Sequence, residues 1–165
     1  LPDAAGNRNG IVSAGVLAYI RRNRERRMAQ GKLHILKMAP GLRELSQLQD
    51  WMNARFTGPY AFVSTKSCPT RDEELLAGGS IYWVFAHQIL GRQELVEFEK
   101  NAPPHNRCLI KVHREVIPTV PTPKRAFQGW RYLDGADAPL DLPKGREHED
   151  IPDDINAALA RMGLI

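Results

Sequence analysis

The amino-acid sequence predicts an α+β fold, with a mostly antiparallel sheet or partial β-barrel flanked by helices. Three observations lead there. Strand-like runs outnumber helical ones. The helical segments do not alternate with strands as long parallel crossovers would. One run, Ser80 to Ala86, is almost wholly apolar, as a strand buried on both faces must be. Composition agrees: 165 residues, 42% hydrophobic and 25% charged, suit one globular domain and exclude a collagen-like, wholly disordered or disulfide-scaffold chain. No apolar run approaches the roughly 18 residues of a membrane span.

The elements follow in order. Lys32 to Lys37 reads as a short strand, and Gly41 to Phe56 carries Leu42, Leu45, Leu48 and Met52 at helical spacing. Gly58-Pro59 turns the chain into a second strand, Tyr60 to Thr65. Thr70-Arg71-Asp72-Glu73 has the form of a capping box, so a short helix should start there and stop at Gly78 in the left-handed region. Ile81, Tyr82, Trp83, Val84 and Phe85 make a central strand. Glu94 to Glu99 and Arg107 to His113 form an antiparallel pair around the turn-rich Asn101-Ala102-Pro103-Pro104. Pro118, Pro121 and Pro123 should deny ladder hydrogen bonds to Val116–Pro123 and hold it extended. Residues 134–150 read as a polar surface crossing. A last helix is expected from Pro152, with Ile155, Leu159 and Met162 on one stripe and Gly163 as its stop.

The charge is unevenly placed. Residues 1–27 hold six arginines against Asp3 and Glu25, a net +4, while residues 28–165 hold 17 basic and 17 acidic residues and are neutral. The bulk electrostatic case for a polyanionic partner therefore rests on the N-terminal segment, and the body can offer only local patches. In that segment the arginines follow the apolar stretch Ile11 to Ile20, the reverse of a secretory signal. We expect residues 1–27 to be a basic extension, upstream of a true start at Met28, and residues 28–165 to be a single domain. With only Cys68 and Cys108 and no export signal, free thiols and a cytoplasmic location are expected.

The stretches Pro69-Thr70-Arg71-Asp72-Glu73-Glu74-Leu75-Leu76, Gly78-Gly79-Ser80-Ile81-Tyr82-Trp83-Val84, Arg92-Gln93 and Pro123-Lys124-Arg125-Ala126-Phe127-Gln128-Gly129-Trp130-Arg131-Tyr132-Leu133 resemble those of a bacterial family catalogued as domain of unknown function 1489. The resemblance runs from about Lys32 to the C-terminus. It implies no activity, so function must be argued from the residues themselves.

Two constellations offer chemistry. Lys66, Cys68 and Arg71 precede a helix N-terminus, where exposed N–H groups favour a phosphate or carboxylate. An ordinary capped loop explains Thr70 and Glu73 equally well. Lys124, Arg125 and Arg131 lie among Phe127, Trp130 and Tyr132, with Gln128 between them. Cations beside flat rings are what stacking on a base and holding its phosphate require. The alternative is that Trp130 and Phe127 plug the end of the sheet while the arginines pair with acidic residues downstream. Arg92 follows Gly91, a turn or bulge signal, and could join the same ligand site, although a solvated surface turn is the simpler account.

Enzyme signals are thinner. Ser80 lacks the glycine setting of a nucleophile elbow. Cys68 with His34, His87 or His113 would make a nucleophile and base only if the fold brought them together. No metal-ligand spacing or glycine-rich phosphate loop occurs, and no cofactor is expected. The leading expectation is a small binding module for RNA or a nucleotide-like anion, using Lys66, Arg71, Arg92, Lys124, Arg125, Gln128, Trp130, Arg131 and Tyr132. The competing expectations are an enzyme acting on a phosphorylated or carboxylate-bearing small molecule, and a protein-interaction domain presenting Pro118 to Pro123.

Overall fold

In a computed structural model, residues 33–142 and four N-terminal positions, 18, 21, 22 and 25, are described. The predicted helix at 152–163 and nearly all of the basic extension lie outside the described residues. Strand β1 (Leu33–Met38) leads through helix α1 (Leu45–Arg55) to β2 (Tyr60–Thr65), helix α2 (Asp72–Leu76) and β3 (Ser80–Phe85). Strands β4 (Gln88–Ala102), β5 (Arg107–His113), β6 (Ile117–Pro123) and β7 (Trp130–Asp134) complete the sheet.

The seven strands form an open sheet in the order β2-β5-β4-β3-β1-β7, with β6 also paired to β4. The architecture is a sheet-dominated α+β fold and not a closed barrel. All pairings between strands are antiparallel except β1 with β3, which are parallel. That pair corrects the expectation that crossovers were lacking: α1, β2 and α2 together form the connection.

Strand β4 organises the sheet. Its first half pairs with β3 along one edge, from Phe85↔Gln88 to Ser80↔Glu94. Along its other edge β5 and β6 run end to end, from Ala102↔Arg107 through Leu95↔Val112 to Arg92↔Ile117 and Gln88↔Pro123. Register shifts on both sides at Leu90 confirm the bulge that Gly91 signals. The backbone there is closely approached: a Cβ on Gly91 would lie 2.5 Å from Leu45 Cδ1, which would have to move, and 3.1 Å from the Ile117 carbonyl.

The prolines of β6 do not abolish its pairing. A proline loses its N–H but keeps its carbonyl, and Leu142 N–H donates to the Pro118 carbonyl at 2.8 Å while Val120 N–H donates to Leu140. Residues 134–142 are therefore not a polar crossing over the surface. Ala138, Leu140 and Leu142 are buried against the sheet.

Both faces of β1 and β3 are covered, so the apolar run at Ser80–Phe85 is buried throughout. On one face Ile35, Ile81, Trp83 and Phe85 meet Leu48 and Met52 of α1, Leu75 of α2, and Val63, Ile110 and Val112 of β2 and β5. On the other, Leu36, Tyr82, Val84 and Ile89 meet Leu133 and Ala138. Buried Gln93 stitches the first core to the β5–β6 corner. It accepts from Trp83 Nε1 at 2.9 Å and donates to the carbonyls of His113 and Arg114 at 3.0 and 3.3 Å.

Two local expectations are corrected. Helix α2 begins one residue later than a Thr70 cap would place it, with Arg71 at the N-cap and no side-chain cap. The capping box forms instead at α1, between Glu44 and Gln47. The two cysteines are not free: Cys68 and Cys108 form a disulfide joining the loop after β2 to the start of β5. Thr65↔Cys108 is a register pair, so three residues beyond it Cys68 can fold back onto Cys108. Among the described residues no helix is long and apolar enough to cross a membrane.

Candidate functional site

The two distant stretches singled out in the sequence do meet. Strand β7 lies at the sheet's edge, and alternation sends Trp130 and Tyr132 to one face and Arg131 to the other. Trp130 Nε1 donates to the Ser67 carbonyl at 2.9 Å. The Tyr132 hydroxyl accepts from the backbone N–H groups of Thr70 and Arg71, each at 3.2 Å, and the first of these is the donor that Glu73 would have taken in a Thr70 capping box. The two rings pack edge to face with centroids 4.9 Å apart.

The cations divide. Arg71 lies 5.5 Å over the Tyr132 ring and forks onto Glu74 at 2.6 and 2.8 Å. Its hydrogen bond to Glu74 is the main reason the guanidinium holds its proton more firmly than usual, and the same bond draws the Glu74 carboxyl below its ordinary range. Arg131 leans over Phe127 at 5.5 Å and donates to the carbonyls of Gln128 and Trp130. Lys66, Lys124, Arg125 and Gln128 are exposed, and none of the three cations makes an ion pair among the described residues.

Arg92 is neither on a surface turn nor beside Trp130. It is buried within β4, forked onto Asp141 at 2.7 and 2.8 Å and donating to Ser80 Oγ at 2.8 Å. Burial works against its charge, but the bond to Asp141 and the nearby Asp141, Tyr82 and Glu94 charges outweigh it, and the pKa is raised. The pair fastens residues 134–142 onto the sheet.

A second surface carries rings and cations at the opposite edge of the sheet. In β2 alternation turns Ala61, Val63 and Thr65 inward and leaves Tyr60 and Phe62 exposed at 37% and 39%. Trp51, at the margin of the Leu45–Leu48–Met52 stripe of α1, is exposed at 37%. Phe56, where α1 ends, joins these elements. Its ring centroid is 6.1 Å from Trp51 and 6.0 Å from Phe62. Arg55 lies 4.5 Å over Trp51, and Lys111, facing Phe62 across the β2–β5 ladder, lies 4.6 Å over Tyr60. Tyr60 continues to His113 at 5.4 Å.

Beside His113 a cleft of about 390 Å³ opens between α1 and the β5–β6 corner, lined by Gln49, Asn53, Glu94, His113, Arg114 and Glu115 among others. Gln49 holds its wall by accepting from Val116 N–H at 2.8 Å and donating to the Arg114 carbonyl at 3.3 Å. None of the residues on this second surface belongs to the binding set predicted from sequence, and His113 was named only as a base for Cys68, whose thiol is tied up in the disulfide. The available signal was phase: aromatic residues out of step with the apolar stripe of their own element. Among the described residues no cluster of His, Cys, Asp and Glu is arranged to hold a metal.

An open sheet with ring-and-cation surfaces at both edges defines, as a class, a small sheet-dominated α+β protein. The chain belongs to the family described as protein of unknown function (DUF1489), whose model matches residues 35–165. No curated protein and no solved structure matches it.

Proposed function

We propose that this protein is a small binding module for single-stranded RNA, with the Trp51–Phe56–Phe62–Tyr60 strip as its contact surface. One observation carries the reading: the exposed rings of Trp51 and Phe62 are joined through half-buried Phe56, Tyr60 shares the outward face of β2 with Phe62, and cations already lie over two of the exposed rings, Arg55 on Trp51 and Lys111 on Tyr60. Base stacking needs an exposed π-face, and a phosphate needs a cation within a side chain's reach of that face. The neutral body suits a partner held by local stacking more than by long-range attraction. Stacking on an aromatic contributes about 1–3 kcal/mol per base, so three or four rings suffice for a useful affinity.

Fluorescence anisotropy with a labelled single-stranded RNA across a salt series tests the reading. Binding at low salt that weakens as salt rises is expected, with Phe62→Ala weakening it at least fivefold. Arg55→Ala with Lys111→Ala should also weaken it, and should do so more than Arg125→Ala with Arg131→Ala at the other edge. No binding at low salt, or binding unmoved by Phe62→Ala, overturns the proposal. Loss confined to Arg125 and Arg131 would transfer the interface to the β7 edge.

A further inference from the structure

We infer that the cleft between α1 and the β5–β6 corner is a guanine pocket, reading one base of the strand that the aromatic strip stacks. This inference rests on the RNA reading above. The cleft's volume, about 390 Å³, falls within the roughly 300–1,000 Å³ of small-ligand sites. It is continuous with the strip through one contact, Tyr60 against His113 at 5.4 Å, with the His113 ring itself lining the cleft. A strand stacked along Phe62 and Tyr60 therefore delivers its next base to this opening.

The lining selects the base. Glu115 is exposed, lines the cleft and has no hydrogen bond or ion pair among the described residues. Glu94 lines it too, with Oε2 3.9 Å from His113 Nε2 and Oε1 3.8 Å from Arg92. An ionised carboxylate only accepts hydrogen bonds, through two oxygens side by side. Guanine alone among the four RNA bases sets two donors side by side on its Watson–Crick edge, N1–H and the 2-amino group. Adenine and cytosine pair one donor with an acceptor, and uracil flanks one donor with two acceptors.

The remaining guanine group, the O6 acceptor, needs a donor. Asn53 supplies one: its Oδ1 is engaged by Gln49 at 3.1 Å, which orients the side chain and leaves its amide hydrogens for the cleft. Arg114 adds guanidinium hydrogens beyond the one that Nη1 gives to the Phe56 carbonyl at 2.8 Å. Uncharged polar groups alone would not discriminate in this way, since Asn and Gln can each present a donor and an acceptor. Glu115, with no other partner, is therefore assigned the bidentate contact.

Titration of short single-stranded RNAs that differ at one position tests this. An oligomer carrying one guanine in an otherwise uridine strand should bind about tenfold more tightly than its adenine counterpart, and inosine, lacking the 2-amino group, should fall between. Glu115→Gln should erase the guanine preference, so that the guanine and adenine strands bind alike. Phe62→Ala should weaken all the oligomers and keep the ratio. Equal binding of the guanine and adenine strands, or a preference that survives Glu115→Gln with Glu94→Gln, overturns the pocket and leaves the RNA reading standing. Absence of binding to every oligomer overturns both. Glu115 is exposed, so its substitution should not disturb folding, and an unchanged thermal midpoint verifies this.

Discussion

Replacing Arg92 with methionine separates a ligand-binding arginine from a structural one. Its side chain is 5% exposed and that of Asp141 28% exposed, and two short bonds join them. Removing one partner of a buried pair costs about 3–5 kcal/mol, because the other charge is left without compensation. Asp141 keeps some contact with water, so Arg92→Met should cost about 3 kcal/mol, the lower end. Asp141→Leu should cost a similar amount, since the guanidinium would keep only Ser80 Oγ and a Glu94 carboxylate 3.8 Å away. With a urea m-value of about 2 kcal/mol/M, each single change lowers the unfolding midpoint by about 1.5 M. Arg92→Met with Asp141→Leu should cost about 4 kcal/mol, less than the sum of the two single losses, giving a coupling of about 2 kcal/mol in the double-mutant cycle. Urea unfolding followed by tryptophan fluorescence measures all four corners. A coupling below about 0.5 kcal/mol would refute the reasoning. So would an Arg92→Met variant of normal stability with weakened RNA affinity, which would return Arg92 to the ligand site.

Two further outcomes follow from the packing and the surface charges. Gly79→Ala should destabilise by about 1–3 kcal/mol, because its Cβ would press on the backbone carbonyls of Leu75 and Leu33, which cannot swing aside as a side chain could; thermal unfolding compared with Gly58→Ala, where the added methyl meets open space but sits at positive φ, separates crowding from backbone strain. Asp72, bonded to Lys100, and Glu74, bonded to Arg71, are both held below their ordinary values of 3.8 and 4.5. Their contribution is thus present above those values and lost as pH falls through the lowered ones, so thermal stability should drop on that acidic side, and Asp72→Asn should flatten the drop.

How much of this could be seen in the sequence depended on whether a signal was local. Strand β2 was legible to the residue, because its alternation and its Gly58-Pro59 turn lie within one short window. The same held for the buried run of β3, whose apolar side chains leave no solvent face. Strand β7 was missed for the opposite reason: Trp130, Arg131 and Tyr132 look like a binding block until an edge position beside β1 sends the rings one way and the arginine the other. Arg92 was misread because its partner Asp141 is 49 residues distant, and no local pattern announces a buried ion pair. The Thr70 capping box was a sound local inference overridden by a tertiary contact, the Tyr132 hydroxyl arriving from 62 residues away.

These differences bear on function in one direction. At the β7 edge the fold uses the polar ends of both rings and the Arg71 guanidinium for its own loop, so an RNA strand arriving there would have to displace existing bonds. At the β2 edge the ring faces of Trp51 and Phe62 and the Arg55 guanidinium are engaged only with one another and their neighbours, and Phe62 has no polar group to satisfy. A site that binds without breaking native contacts retains more of its interaction energy as affinity. On that ground the strip along α1 and β2, which no motif marks, is the stronger candidate than the block that the sequence makes conspicuous.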